Sequence, residues 1–224
     1  MNVHSRRMSK DIVYENLKQK IIFNELSPNE DVKEDQLSTL LDVSRTPLRE
    51  SIQRLEMENF LVRQPNGRLK VAQINLNEVE EIFEIRSLLE GQIAKHATRN
   101  AMKEDILNLS KLLERLDHFF KIDDKQNFVT IGNEFHDYLA KISGLNTTIR
   151  LLNIVRDHAE RYSRFVSVYG KWNEQAVEEH YDILKCIVEK DELGAENAMK
   201  IHLMSSLRVV LERVKELHLS KGGI

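Results

Sequence analysis

Each of three histidines stands at a position where helical periodicity places an apolar residue. They are His136, His180 and His202, and each has apolar neighbours about one helical turn away. One inward-facing histidine is usually a hydrogen-bonded core residue. Three in one small bundle favour imidazole ligands of a divalent metal such as zinc, nickel or manganese. These three residues are therefore the predicted metal ligands.

Arg86 repeats this anomaly on the first helix of the C-terminal half, where it lies on an apolar stripe between Ile82 and Leu89. A buried guanidinium is costly without a partner. Two interpretations stay open. Arg86 forms an ion pair with Glu90, one turn away, or it binds an anionic ligand through a bidentate contact.

A second cluster of chemically active side chains lies nearer the N-terminus. Ser44, Arg45 and Thr46 begin a helix and together offer hydroxyls, a guanidinium and free backbone N–H groups, and Arg49 follows on the same face one turn later. This chemistry suits phosphates and guanine edges. Charge alone leaves open a solvated helix with scattered arginines.

The net charge of −3 conceals an asymmetry along the chain. Residues 1–74 carry 12 Lys and Arg against 11 Asp and Glu (+1), whereas residues 75–224 carry 21 against 25 (−4). Within residues 43–70 there are six basic and three acidic side chains. Positive charge is therefore concentrated where a DNA-binding surface would need it.

The elements that position the N-terminal cluster can be predicted from periodicity. Apolar residues repeat with helical spacing from about residue 9, over 33–41 and over 45–58, and the last two segments are joined by a tight turn. Alternation at 60–63 and 69–71 around a Pro-Asn-Gly turn then predicts a β-hairpin. Three helices followed by a hairpin are the order of a winged helix-turn-helix.

The C-terminal half has no proline after residue 74, so we expect helices throughout. Six are predicted, at about 77–100, 103–121, 125–142, 146–169, 173–190 and 192–217. The 224 residues therefore suit a mostly α protein of two domains, 1–74 and 75–224. Cys186 is the lone cysteine, and no apolar run approaches the length of a membrane span or a secretory signal, so we expect a cytoplasmic protein.

The segment LSTLLDVSRTPLRESIQRLE, residues 37–56, resembles the signature of the GntR family of bacterial transcriptional regulators. The resemblance extends over most of the N-terminal domain. It implies that Ser44, Arg45, Thr46 and Arg49 contact operator DNA, and that the wing tip enters the minor groove through Asn66, Gly67 and Arg68. The family wing commonly reads Asn-Arg-Gly instead. A position often basic in relatives is Asp35 here, so one further DNA contact should be absent.

The C-terminal half resembles FCD, the helical ligand-binding domain of the FadR subfamily, around residues 135–144, 179–184 and 195–203. Many members bind a metal through three histidines and an Asp or Asn one turn before the first. That position is Gly132 here, and Asn133 should point off the face. The resemblance also implies a small carboxylate effector that contacts the metal and Arg86. Apart from the resemblance, Trp172 and Tyr169 are candidates to close the pocket, although aromatic residues are more often plain core.

We therefore expect a ligand-responsive repressor rather than an enzyme. One recognition helix reads few base pairs, so a homodimer on a short inverted repeat of double-stranded operator DNA is expected. One alternative makes the histidines structural, in a domain that only dimerises. Another is a metal-dependent hydrolase with Glu179 or Glu134 as base, although no His-Glu-x-x-His, Gly-x-Ser-x-Gly or glycine-rich phosphate loop supports it.

Overall fold

Helices form most of the chain, which confirms the mostly α architecture predicted from apolar periodicity. The computed structural model describes residues 3–169 and 174–220, with side chains for 10–167 and 174–216. The chain divides into two units, Met1–Ile74 and Asn75–Ile224.

The N-terminal unit combines helices with a small antiparallel sheet. Its elements are α1 (Val3–Ile22), β1 (Asp31–Val32), α2 (Glu34–Leu40), α3 (Arg45–Met57), β2 (Leu61–Arg63) and β3 (Leu69–Val71). Strand β3 lies between β1 and β2. The predicted hairpin is confirmed, with Val62 opposite Lys70. The unit is a winged helix-turn-helix, in which β2 and β3 form the wing.

Two features of this unit differ from the sequence prediction. Helix α1 begins at Val3 rather than near Ser9, and residues 3–8 contain neither the proline nor the glycine that would stop it. Strand β1 was not predicted. It has only two residues, too few for alternation to be visible, and it exists through pairing with β3, where Asp31 lies opposite Lys70.

The turn between α2 and α3 fixes the angle at which α3 leaves α2. Asp42 adopts a left-handed conformation with φ of 51°, which short polar side chains tolerate better than most. Ser38 Oγ donates a hydrogen bond to the carbonyl of Val43 at 2.6 Å. Leu48 and Leu55 of α3 are fully buried against α1 and the sheet. The opposite face of α3 is therefore left for solvent or a partner.

The C-terminal unit consists, over its described residues, of six helices close to those predicted. They are α4 (Leu76–Asn100), α5 (Lys103–Lys121), α6 (Lys125–Ser143), α7 (Asn146–Tyr169), α8 (Glu174–Glu189) and α9 (Glu192–Ser220). Helix α4 is central and packs against α6, α7, α8 and α9. The core of this bundle is aliphatic and aromatic.

Specific residues cap the helices of the bundle. Asn75 accepts hydrogen bonds from the first backbone N–H groups of α4, and Gly144 ends α6 with φ of 70°. Lys190 Nζ donates to the carbonyls of Thr98 at 3.0 Å and Ala101 at 2.5 Å, at the C-terminus of α4. Within the described residues, no helix has the length and hydropathy to span a membrane.

Candidate metal, effector and DNA-binding sites

Three helices of the bundle bring the predicted histidines together. His136 comes from α6, His180 from α8 and His202 from α9, and their ligating nitrogens all lie within 4.8 Å of one another. The rings of His180 and His202 are in edge contact, with centroids 4.2 Å apart. Both side chains are buried. The structure therefore brings together the three histidines that helical periodicity directed into the bundle.

The Nδ1 atoms of these histidines face acceptors on their own side of the site. His180 Nδ1 lies 2.6 Å from the carbonyl oxygen of Ala176, one turn earlier in α8. This acceptor holds the hydrogen on Nδ1 and leaves the lone pair on Nε2. Nε2 of His180 is buried and finds no hydrogen-bond partner among the described residues. A buried nitrogen lone pair of this kind is suited to coordinate a metal.

Carboxylates stand behind the other two histidines. His202 Nδ1 lies 3.1 Å from Glu179 Oε2. His136 Nδ1 lies 2.5 Å from Glu90 Oε2, in a close contact that is poorly aligned as a hydrogen bond. Such carboxylate–histidine pairs orient the imidazole ring and raise the basicity of its other nitrogen. The set of three imidazoles thus has the outer contacts of a metal site.

Burial lowers the pKa of both His180 and His202 below that of a free imidazole. For His180, burial is the largest cause, and the neighbouring imidazoles of His202 and His136 lower its pKa further. For His202, burial again dominates, although the hydrogen bond to Glu179 acts in the opposite direction. Both side chains are therefore neutral near pH 7, as metal ligands must be.

Arg86 forms an ion pair with Glu90, which was one of the two interpretations of the sequence. Its Nε lies 2.7 Å from Glu90 Oε1, and both side chains are buried. Burial alone would raise the pKa of Glu90, but the guanidinium of Arg86 and the imidazole of His136 lower it well below its ordinary range. One carboxylate thus bonds Arg86 with one oxygen and contacts a candidate metal ligand with the other.

A solvent-open pocket adjoins the histidines, and Arg86, Gly132 and Asn133 help to line it. The expectation that Asn133 points off this face is wrong. Its Nδ2 is buried and, within the part of the chain that the structure describes, has no hydrogen-bond partner. Adjacent helical residues are about 100° apart, so a wide cavity receives both positions 132 and 133.

Gly132 leaves room for a Cβ beside the histidines. A Cβ at this position would lie 3.8 Å from His180 Nε2, which is ordinary van der Waals contact. The glycine is therefore not required by close packing. Trp172, the other predicted effector contact, lies outside the described residues.

The predicted DNA-binding residues lie on one unit and are all exposed. Ser44 is the N-cap of α3, and α3 carries Arg45, Thr46 and Arg49. At the wing tip, the backbone N–H of Arg68 donates to Asn66 Oδ1 at 3.0 Å, and Gly67 adopts φ of 81°. The N-terminus of α3 and the wing tip therefore both present polar groups to solvent.

The sequence matches two family models. Residues 10–71 match the model described as "Bacterial regulatory proteins, gntR family", and residues 81–205 match the FCD domain. The chain belongs to the GntR family. It carries the FCD domain of the FadR subfamily.

Related GntR-family proteins cover most of the chain. The Nta operon transcriptional regulator of Aminobacter aminovorans is 27% identical over 192 residues, which are 84% of this chain and 88% of that protein. The HTH-type transcriptional repressor RspR of Escherichia coli K12 is 26% identical over 203 residues, with 85% and 84% covered. These relatives are regulators, so this GntR-family chain is a DNA-binding transcriptional regulator and not an enzyme.

Solved structures share the fold of this GntR-family regulator. The structure described as E. coli McbR/YncC has a TM-score of 0.78 at 20% identity and covers 91% of this chain and 97% of that chain. A GntR regulator from Rhodococcus sp. RHA1 has a TM-score of 0.75 at 18% identity, with 91% and 97% covered.

Sequence reasoning missed two contacts of this GntR-family regulator. It treated Glu179 only as a catalytic base, whereas Glu179 orients His202. It treated Asp35 only as a lost DNA contact, whereas Asp35 pairs with Arg45. Neither pairing has a sequence signal, because the partners lie on different helices.

Proposed function

We propose that this regulator is a homodimeric repressor whose affinity for operator DNA changes when a small carboxylate binds beside a metal in the C-terminal unit. The observation that carries the proposal is the set of three clustered imidazoles, with acceptors behind their Nδ1 atoms and a buried, unpaired Nε2 on His180. A divalent ion is the partner that such a donor set fits.

The metal ligands would be His136, His180 and His202, and zinc, nickel and manganese all accept imidazole. When bound, the ion supplies a positive charge and open positions for oxygen ligands. Glu90 compensates Arg86, and the carboxylate of Glu179 offsets only part of the charge of a divalent ion. The pocket then retains a net attraction for an anion.

The effector would contact both the histidine site and the adjacent side chains. Asn133 Nδ2 is a buried donor that needs an acceptor, and the guanidinium of Arg86 lines the same cavity. Carboxylate oxygens satisfy both groups. Gly132 leaves room for such an anion next to His180. Trp172 is proposed as a further contact.

The N-terminal unit would read DNA with Ser44, Arg45, Thr46 and Arg49 in the major groove, and the wing tip of Asn66, Gly67 and Arg68 would reach the minor groove. The exposure of all these residues and the free N-terminus of α3 support this assignment. Two copies are needed because one helix specifies too few base pairs.

Metal binding is tested by elemental analysis of protein purified without a histidine tag. Wild-type protein should hold about one zinc, nickel or manganese ion per chain. The double variant His180→Ala/His202→Ala should hold none, whereas His118→Ala, which changes an exposed histidine of α5, should keep the wild-type content. Equal metal content in all three proteins would place the ion elsewhere.

The effector is tested by a thermal-shift screen of small organic acids with and without added metal, since a ligand of the native state raises the melting temperature. A hit should change operator affinity in wild-type protein but not in His180→Ala/His202→Ala. If no acid shifts the melting temperature, the C-terminal unit serves dimerisation only.

DNA reading is tested with duplexes that the wild-type protein selects from a randomised library. Arg45→Ala and Arg49→Ala should each lose about 1–3 kcal/mol of binding to the selected duplex. Arg150→Ala, an equal charge change in the C-terminal unit, should not.

The oligomeric state and the direction of regulation need separate measurements. Sedimentation should give a dimer, and a reporter gene under the selected operator should be repressed. A monomer on DNA would refute the dimer.

A further inference from the structure

Two acidic side chains stand directly beside the arginines proposed to read DNA. Glu34 and Asp35 form the first turn of α2. Arg49 Nε donates a hydrogen bond to Glu34 Oε2 at 3.0 Å, and an Arg45 terminal nitrogen lies 3.1 Å from Asp35 Oδ1. Arg45 and Arg49, the two arginines of α3 (the reading helix) that are proposed to read DNA, are thus paired with carboxylates when DNA is absent.

The two carboxylates differ in how firmly they are held. Glu34 is 28% exposed, and its second oxygen lies 3.9 Å from a terminal nitrogen of Arg63 in β2. Arg63 also donates to Glu56 at 2.9 Å and to the wing-tip carbonyl of Gly67 at 3.4 Å. Asp35 is 80% exposed. Glu34 therefore connects the reading helix to the wing, whereas Asp35 makes an exposed pair.

Arg49 and Arg45 contact their carboxylates through different guanidinium nitrogens. Arg49 bonds Glu34 through Nε, and its terminal nitrogens donate no hydrogen bond to any described residue. They remain available for the O6 and N7 acceptors of one guanine. Arg45 uses a terminal nitrogen, so it must leave Asp35 before both terminal nitrogens can contact one base.

The strengths of the competing contacts determine which DNA groups displace the carboxylates. An exposed ion pair is weak, and a single phosphate contact is similarly weak and non-specific. A bidentate arginine–guanine contact is stronger than either. At Arg45, a guanine edge therefore outcompetes the Asp35 carboxylate, whereas a phosphate does not. At Arg49, where the terminal nitrogens are open to either group, the Glu34 carboxylate discriminates by repelling phosphates that approach it.

We propose that Glu34 and Asp35 are specificity-determining residues of the DNA-binding surface, because they keep Arg49 and Arg45 from phosphates while permitting contacts with guanine. Glu34 is in addition a positioning residue that holds Arg49 by Nε. The proposal rests on the proposed function, in that Arg45 and Arg49 read DNA.

The test compares full-length wild-type protein with Glu34→Gln/Asp35→Asn. Fluorescence anisotropy measures affinity for the duplex that wild-type protein selects from a randomised library and for a scrambled duplex of equal length, at two salt concentrations. The double variant should bind the scrambled duplex about three- to tenfold more tightly. Its affinity for the selected duplex should change less, so the ratio of the two affinities should fall. The salt dependence for the scrambled duplex should steepen by about 0.9 unit of logarithmic slope for each arginine that gains a phosphate contact, and so by about two units when both do.

A second pair of variants separates charge from positioning. Glu34→Gln keeps an oxygen that accepts from Arg49 Nε, so it should retain affinity for the selected duplex. Glu34→Ala removes that oxygen and should lose about fivefold. Equal affinities for these two variants would overturn the positioning role.

The matched control is Glu25→Gln, which removes one charge from an exposed glutamate paired with Lys20 on the same unit. It should keep the wild-type affinity ratio and salt slope. If the Glu34→Gln/Asp35→Asn variant also keeps both, the specificity role is overturned while the proposed function stands. If wild-type protein enriches no sequence from the library, DNA reading itself fails, and the inference fails with it.

Discussion

At the scale of single residues, position 132 determines whether the protein can supply a fourth ligand beside the three histidines, and glycine supplies none. A Cβ at this position would be in van der Waals contact with His180 Nε2, 3.8 Å away. A carboxylate there would add a negatively charged ligand to three imidazoles and occupy the space proposed for the effector. A ligating side chain at position 132 should therefore raise the affinity for metal and weaken the binding of the effector.

Replacing Gly132 with Asp should raise the affinity for zinc about tenfold, equivalent to about 1.4 kcal/mol, and should weaken the effect of organic acids on DNA binding. Calorimetric titration with zinc measures the first effect. Gly132→Ala is the matched control, since it adds a Cβ without a ligand. It should keep the zinc affinity and raise stability by about 0.5–1 kcal/mol through helix propensity. Similar zinc affinities for the two variants would refute this role.

The buried histidines should make the metal-free protein sensitive to mild acid. The unfolded chain protonates these imidazoles near pH 6.5, whereas the lowered pKa values of His180 and His202 delay protonation in the native state. The unfolded state then binds more protons, so the free energy of unfolding falls as pH drops from about 7 toward 5.5, by up to about 1.4 kcal/mol per pH unit for each histidine. The effect of Glu90, with its lowered pKa, begins only near pH 4.5 and below.

Urea unfolding in the presence of a chelator at pH 7.5, 6.5 and 5.5 measures this dependence. His180→Asn/His202→Asn should flatten it, and His118→Gln should not. An equal slope in the double variant and in wild-type protein would assign the sensitivity to other groups.

At the scale of the elements, Lys190 joins the end of α8 to the end of α4. Its backbone is left-handed, with φ of 60°, and its ammonium binds two terminal carbonyls of α4. The conformation costs about 1 kcal/mol for a residue with a Cβ. The side chain offsets this by capping a helix whose C-terminus carries partial negative charge.

Lys190→Met should therefore lower the free energy of unfolding of the C-terminal unit by about 1–2 kcal/mol, because it removes the cap and keeps the strained backbone. Lys190→Gly removes both, so it should be about 1 kcal/mol more stable than Lys190→Met. Chemical denaturation of both variants provides the comparison. If Lys190→Gly is the less stable of the two, backbone strain does not act at this position.

The helices and the hairpin could be predicted because their signals are local. The apolar periodicity that predicts each of the six C-terminal helices lies within a short stretch of sequence. The same is true of the Pro-Asn-Gly turn of the wing. Strand β1, the Glu179–His202 pair and the Asp35–Arg45 pair depend on residues that meet only after folding. The orientation of Asn133 was predicted wrongly for another reason. The prediction assumed that only one of two adjacent helical positions faces the histidines, whereas both Gly132 and Asn133 line the pocket.

At the scale of the whole molecule, two units with separate cores imply that a ligand of one unit stabilises that unit first. The histidines all belong to the C-terminal unit. Stabilisation by a bound ligand grows with its concentration, reaching about 2.7 kcal/mol at one hundred times the dissociation constant.

Saturating zinc should therefore slow amide hydrogen exchange across α4, α6, α8 and α9, while exchange in α1 and α3 stays the same in the absence of DNA. Exchange measured by mass spectrometry on the full chain resolves these segments. The variant His180→Ala/His202→Ala should show no zinc effect. Protection that appears first in α1 and α3 would mean that zinc binds the N-terminal unit.

Glu90 constrains which mutations this protein can accept during evolution. One of its oxygens holds Arg86 and the other contacts His136. A lineage that replaces Glu90 disturbs, in a single mutation, the histidine proposed to bind a metal and the arginine proposed to bind an anion. If both proposals hold, loss of metal binding and a change of effector should arise together in evolution, and descendants that keep one of these properties should also keep the glutamate.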